Sequence, residues 1–149
     1  MKVLVIYDSM YGNTEKIARA ISETITGEVK VLRVAKVNLS ELESIDLLII
    51  GSPTQGGRST ASIQDFLNKL PESIKGMKVA VFDTRLSTRF VGIFGYAAGK
   101  IADSLKAKGM TLIAPPKAFY VKSKEGPLKD GELERAVNWT KDMIRAQEV

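Results

Sequence analysis

Apolar positions along this chain fall into two patterns that alternate: short unbroken runs, and stretches with a four-residue rhythm. Lys2–Tyr7 carries Val3-Leu4-Val5-Ile6, a run that suits a strand in a parallel sheet covered on both faces. From Thr14 to Thr26, Ile17, Ile21 and Ile25 recur with Ala18 and Ala20 beside them, predicting one apolar helix face closed by Gly27. Val29–Val34 predicts a short strand. Ala35–Ile45 predicts a polar connection with a helical turn at Leu39 and Leu42. Asp46–Gly51 is a second buried run, and a helix from Ala61 turns Ile63, Phe66, Leu67 and Leu70 inward before Pro71 stops it. Met77–Phe82 predicts a fourth strand. Ala98, Ile101, Ala102 and Leu105 share a helix face ahead of Gly109. Met110–Ala114 predicts a fifth strand, broken by Pro115-Pro116 and resumed at Ala118–Val121, and Leu133, Ala136, Val137, Thr140 and Ile144 form a last amphipathic helix.

Strands alternating with helices mean βαβ units, hence an α/β fold with a five-stranded parallel sheet and helices on both faces, a three-layer sandwich. No repeat, low-complexity tract or linker interrupts the pattern, so residues 1–149 are expected to form a single domain. Right-handed crossovers make 2-1-3-4-5 the expected strand order, with a ligand at the carboxyl ends of strands 1 and 3. Three polar loops meet at that edge: residues 7–14, residues 52–60 and residues 83–90.

The first of them, Tyr7-Asp8-Ser9-Met10-Tyr11-Gly12-Asn13-Thr14, joins a strand directly to a helix. Backbone N–H groups and the helix dipole converge there, and Ser9, Tyr11, Asn13 and Thr14 add neutral donors. No lysine stands in the loop, so it suits a phosphomonoester rather than a nucleoside triphosphate, whose P-loop requires GxxxxGK[ST]. The plainer reading of such a cluster is a turn with an N-cap. Three unusual loops on one edge favour ligand binding over turns alone.

Composition narrows the chemistry. The chain has neither cysteine nor histidine, which excludes disulfides, thiolate catalysis, imidazole acid–base work and metals held by those ligands. Demanding chemistry would then need carboxylates, hydroxyls, lysine or a bound organic cofactor. The start resembles no signal peptide and no run approaches a membrane span, so the expectation is a soluble cytoplasmic protein. A net charge of +5 favours acidic partners by steering, but the lysines are dispersed and no nucleic-acid motif accompanies them.

The two glycine-containing loops carry a family resemblance. Ser9-Met10-Tyr11-Gly12-Asn13-Thr14 matches the Ser/Thr-x-x-Gly-x-Thr phosphate loop of flavodoxins, and Gly51-Ser52-Pro53-Thr54 with Gln55-Gly56-Gly57 resembles the loop lining their isoalloxazine ring. Phe82-Asp83-Thr84-Arg85 and the tail from Gly126-Pro127-Leu128 to Ala136 resemble small stand-alone prokaryotic flavodoxin-domain proteins. The resemblance implies FMN as cofactor. It implies that Ser9, Met10, Tyr11, Gly12, Asn13 and Thr14 hold the phosphate, that Pro53, Thr54, Gln55, Gly56 and Gly57 run along the ring, and that Asp83, Thr84, Arg85, Phe90, Phe94 and Gly95 cover its other side. The implied partners are a redox protein or a small-molecule electron donor or acceptor, with no catalytic acid or base of the chain's own.

The chain also departs from the family. Flavodoxins are typically acidic and sandwich the ring between Trp and Tyr. This chain is basic and its single tryptophan, Trp139, lies in the last helix. Phe90, Phe94 and Tyr96 are the candidate stacking residues, and residues 90–96 are a candidate surface for a homodimer or a redox partner. Arg58, Arg85 and Arg89 fall in the ring loops, where a cation stabilises a reduced anionic ring and would favour an NAD(P)H- or quinone-type reductase over a one-electron carrier. Two alternatives remain. A phosphoacceptor switch of the same fold lacks its aspartate, because strand 3 ends Gly51-Ser52-Pro53. A non-redox binding module for another phosphorylated ligand or an acidic protein retains the phosphate loop without the flavin.

Overall fold

The computed structural model describes residues 1–87 and 96–147. Among the described residues, six strands and four α-helices order as β1 (Lys2–Tyr7), α1 (Asn13–Thr24), β2 (Glu28–Arg33), β3 (Leu47–Pro53), α2 (Ala61–Asn68), β4 (Lys78–Leu86), α3 (Ala97–Ala107), β5 (Thr111–Leu112), β6 (Lys117–Val121) and α4 (Glu132–Gln147). All strand pairs are parallel, and the path β2-β1-β3-β4-β5 is the expected 2-1-3-4-5. The sixth strand is the resumption of the fifth. β5 pairs with the start of β4 at Lys78 and Val79, and β6 with its end, Phe82 to Leu86.

Alternate strand residues feed two cores, as a period of two requires. Leu4, Ile6, Leu48, Ile50, Val79 and Val81 meet α2 and α3 through Ile63, Leu67, Ala98, Ile101 and Leu105. Val3, Val5, Leu47, Ile49, Ala80 and Phe82 meet α1 and α4 on the other face through Ile17, Ile21, Ala136 and Met143. Phe82, Phe119 and Trp139 form a T-shaped trio there, with centroids 6.0–6.3 Å apart. Trp139 is half-buried and packs against this core. The connection after β2 contains the expected turn at Leu39–Ser44, with Leu42 fully buried.

Two expectations change. The fourth strand does not end at Phe82: Asp83, Thr84, Arg85 and Leu86 continue it, paired to Ser52 and Pro53 of β3 and to β6. Apolarity stops at Phe82 because beyond it Asp83 meets the start of α3 and Thr84, Arg85 and Leu86 line the site, while the hydrogen-bond ladder continues. In α4 the inward position belongs to Glu132, and Leu133 is 46% exposed. The Glu132 carboxylate accepts from the Tyr120 backbone N–H at 2.7 Å and from Arg135, so its burial is compensated.

Candidate functional site

The carboxyl edge of the sheet bears a cavity of about 490 Å³ lined by residues from four loops. Ser9, Met10, Tyr11, Asn13 and Thr14 come from the β1–α1 loop, Pro53, Thr54, Gln55 and Gly56 from the loop after β3, and Thr84, Arg85 and Leu86 from the end of β4. Val121 and Lys124 belong to the end of β6 and its loop.

The β1–α1 loop is pinned from behind. Asp8 Oδ1 accepts from Ser9 N–H at 3.0 Å and from Arg33 at 3.2 Å, and Arg33 donates to the Ser9 carbonyl at 2.8 Å. Ser9 Oγ accepts from Gly12 N–H at 3.0 Å, which leaves its own proton available to a ligand. Gly12, with φ of 90°, is the N-cap residue and brings no side chain to the helix end. Among the described residues no oxygen accepts from the backbone N–H groups of Asn13 and Thr14. Two other helices that start at this edge are capped. Thr60 Oγ1 accepts from Ile63 N–H at 3.3 Å at α2, and at α3 Thr54 Oγ1 and Asp83 Oδ2 accept from Ala97 and Ala98 N–H at 3.0 and 2.9 Å. α1 therefore points free donors and a positive dipole end into the cavity. In its first turn the Glu15 carboxyl is held below its ordinary value of 4.5, chiefly by hydrogen bonding from Arg19. Its contribution to stability is thus present above that value and is lost as pH falls.

The loop after β3 is a tight hairpin. Gln55 and Arg58 exchange both backbone hydrogen bonds, at 2.8 and 3.0 Å. Gly56 and Gly57 between them both have positive φ, 56° and 78°, which a type I′ turn requires. The Gln55 amide also reaches the sulfur of Met10, joining the two loops. Thr54 serves two elements, since its N–H donates to the Thr84 carbonyl at 2.9 Å and its hydroxyl caps α3. Thr54→Val, which keeps the shape and removes the acceptor, is expected to cost about 1 kcal/mol in urea unfolding, with Thr54→Ser close to wild type. Equal stability of all three would show that Ala97 N–H does not depend on that hydroxyl.

At the end of β4, Thr84 Oγ1 and Thr14 Oγ1 lie 2.8 Å apart, linking the opposite walls. Arg85 does not stand free beside the cavity. Its guanidinium makes two hydrogen bonds to Asp83, at 2.8 and 2.7 Å, and lies over the Tyr96 ring at 3.4 Å. Its charge is therefore offset where it is placed. Asp83, expected along the ring, is wholly buried and absent from the cavity wall. Gly12 and Gly57 also shape the loops without lining the cavity, and Arg58 is exposed on a separate hollow between α2 and α3. Phe90, Phe94, Gly95 and Arg89 lie outside the described residues.

Sequence reasoning missed Val121 and Lys124. Residues 122–128 fold back as a hairpin, with Lys122 N–H to the Pro127 carbonyl at 2.8 Å and an antiparallel bridge between Val121 and Leu128. The available signal was positional: a loop leaving the fifth strand opens at the same edge as the others.

The flavodoxin family profile matches residues 5–139, most of the chain. The chain belongs to the flavodoxin family. Flavodoxin 1 of Escherichia coli (strain K12) is 29% identical over 131 residues, covering 85% of this chain and 74% of that protein. A flavodoxin of Clostridium beijerinckii is 32% identical over 101 residues, covering 64% of this chain and 67% of that protein. Among solved structures, oxidised Flavodoxin 2 from Bacillus cereus superposes with TM-score 0.80 at 26% identity over 98% of this chain and 99% of that one. An archaeal flavodoxin with TM-score 0.82 and 24% identity, covering 100% of both chains, agrees in fold.

Flavodoxins bind FMN and transfer electrons with it, and FMN is the cofactor of this chain. The cavity residues suit it. An uncapped helix end with two hydroxyls accommodates a phosphate, and Met10, Tyr11, Pro53, Leu86 and Val121 give apolar surface for a flat ring. No helix among the described residues is long and apolar enough to cross a membrane.

Proposed function

We propose that this chain is an electron carrier whose FMN sits in the carboxyl-edge cavity, with Ser9 to Thr14 on the phosphate and Pro53 to Gly57 along the ring. Thr84, Arg85 and Leu86 form the facing wall. The observation that carries this reading is the free N-terminus of α1, opening between the Ser9 and Thr14 hydroxyls into the cavity. Bound there, the isoalloxazine ring supplies one- or two-electron transfer, and the chain holds it and shields part of it from water.

Carriage is favoured over a reductase role by Arg85. With Asp83 bonded to its guanidinium, it offers the ring little uncompensated positive charge, and the argument from arginine toward two-electron chemistry weakens. The net charge of +5 points to an acidic redox partner.

The test is a titration of purified protein with FMN and with riboflavin, followed by flavin fluorescence. FMN is expected to bind at least about tenfold more tightly than riboflavin, because charge-assisted bonds at the helix end reward the phosphate. Equal affinities would remove the phosphate assignment, and failure to retain either flavin would remove the site. Electron transfer to an acidic protein acceptor should also slow several-fold between roughly 20 and 200 mM salt. A salt-independent rate would exclude steering by the basic surface.

A further inference from the structure

The loop after β6 brings a cation to the edge where α1 presents its free donors. We propose that Lys124 pairs with the phosphate of bound FMN, adding a charged clamp to a phosphate loop whose own side chains are neutral. The inference rests on the cofactor placement proposed above.

The position of Lys124 is fixed by its neighbours. Asn13, the first residue of α1, donates from Nδ2 to the Glu125 carbonyl at 3.2 Å. Gly126, with φ of 104°, lies so close to the Asn13 amide that an added Cβ would stand 2.6 Å from Oδ1. Gly126 N–H bonds the Ser123 carbonyl at 2.9 Å and Ser123 Oγ returns a bond to the Gly126 carbonyl at 2.6 Å, closing a tight turn. Lys124 is inside that turn and lines the cavity, and among the described residues it makes no ion pair. Its flexible four-carbon stem lets the ammonium reach over the α1 terminus.

Asp8 and Glu15, the acids of the β1–α1 loop and the first turn of α1, are already engaged. Asp8 pairs with Arg33 at 3.2 Å, and Glu15 with Arg19 at 2.9 Å and Arg33 at 3.7 Å. Glu125 is exposed, and its tie to the site is through its carbonyl. A phosphomonoester, carrying roughly −1.5 to −2 charge near pH 7, is then the partner that suits this lysine.

The experiment compares wild type, Lys124→Gln and Lys124→Arg, titrated with FMN and riboflavin at low and high salt. Lys124→Gln is expected to lose about five- to tenfold in FMN affinity at low salt, a modest figure because the side chain is exposed and screened. Its riboflavin affinity should change less than twofold, its FMN binding should become less sensitive to salt, and Lys124→Arg should recover most of the loss. Unchanged FMN affinity in Lys124→Gln would overturn the proposal. So would an equal loss for both flavins, which would mark the lysine as a shaper of the loop. If wild type itself binds no FMN, the cofactor placement falls, and this inference with it.

Discussion

Replacing Asp83 with alanine is expected to destabilise the fold by about 3–5 kcal/mol, the range for removing one partner of a buried ion pair. The carboxylate is wholly buried and serves two elements: it bonds the Arg85 guanidinium twice and caps α3 at Ala98 N–H. Its loss leaves Arg85, only 13% exposed, without its counter-charge, and frees a helix-end donor with no water to receive it. Asp83→Asn keeps an acceptor for Ala98 and loses the charge, so it should fall between alanine and wild type. Urea unfolding of Asp83→Asn, Arg85→Met and the double variant is the decisive set. The double variant should be less unstable than the sum of the singles by about 1–3 kcal/mol. Strict additivity would mean that the two charges do not depend on each other.

Gly51→Ala is expected to cost about 3 kcal/mol, at the upper end for overpacking a core. Gly51 is paired in register with Phe82 on β4, and the Phe82 ring lies directly over its Cα, in the space a Cβ would take. The ring cannot move aside cheaply, because Phe119 and Trp139 hold it edge-on from two directions. Unfolding of Gly51→Ala, Phe82→Leu and the double variant tests the cause: the smaller side chain should relieve most of the alanine's cost. If the double variant is no better than the sum, Phe82 is not what demands glycine.

The same glycine shows what could be read from the chain and what could not. The strand that carries Gly51 was evident from its apolar run, and the strand order followed from alternation and handedness. That Gly51 accommodates a ring from the next strand depends on β3–β4 register, which no local pattern carries. Asp83 is a parallel case. A carboxylate after an apolar run resembles a loop residue, and its burial is compensated by Arg85 and by a helix beginning well downstream. The phosphate loop was legible because its donors are contiguous. Lys124 was not, since its link to Asn13 spans 112 positions and runs through backbone atoms of its neighbours. Glu132 at an inward helical position misled for the same reason: its partner is the Tyr120 backbone.

The broken fifth strand also governs how copies of this molecule meet when crowded. A sheet border with free N–H and C=O groups is a template on which another chain can add a strand. Here that border is two short pieces, Thr111–Leu112 and Lys117–Val121, separated by a stretch in which Pro115 and Pro116 have no N–H to offer. At Tyr120 both backbone groups of the farther piece are already engaged, the N–H by Glu132 and the carbonyl by Lys129. The opposite border, β2, sets exposed Glu28 and Lys30 along its length. Concentrated solutions should therefore resist sheet-to-sheet aggregation by construction, through interruption on one side and charge on the other.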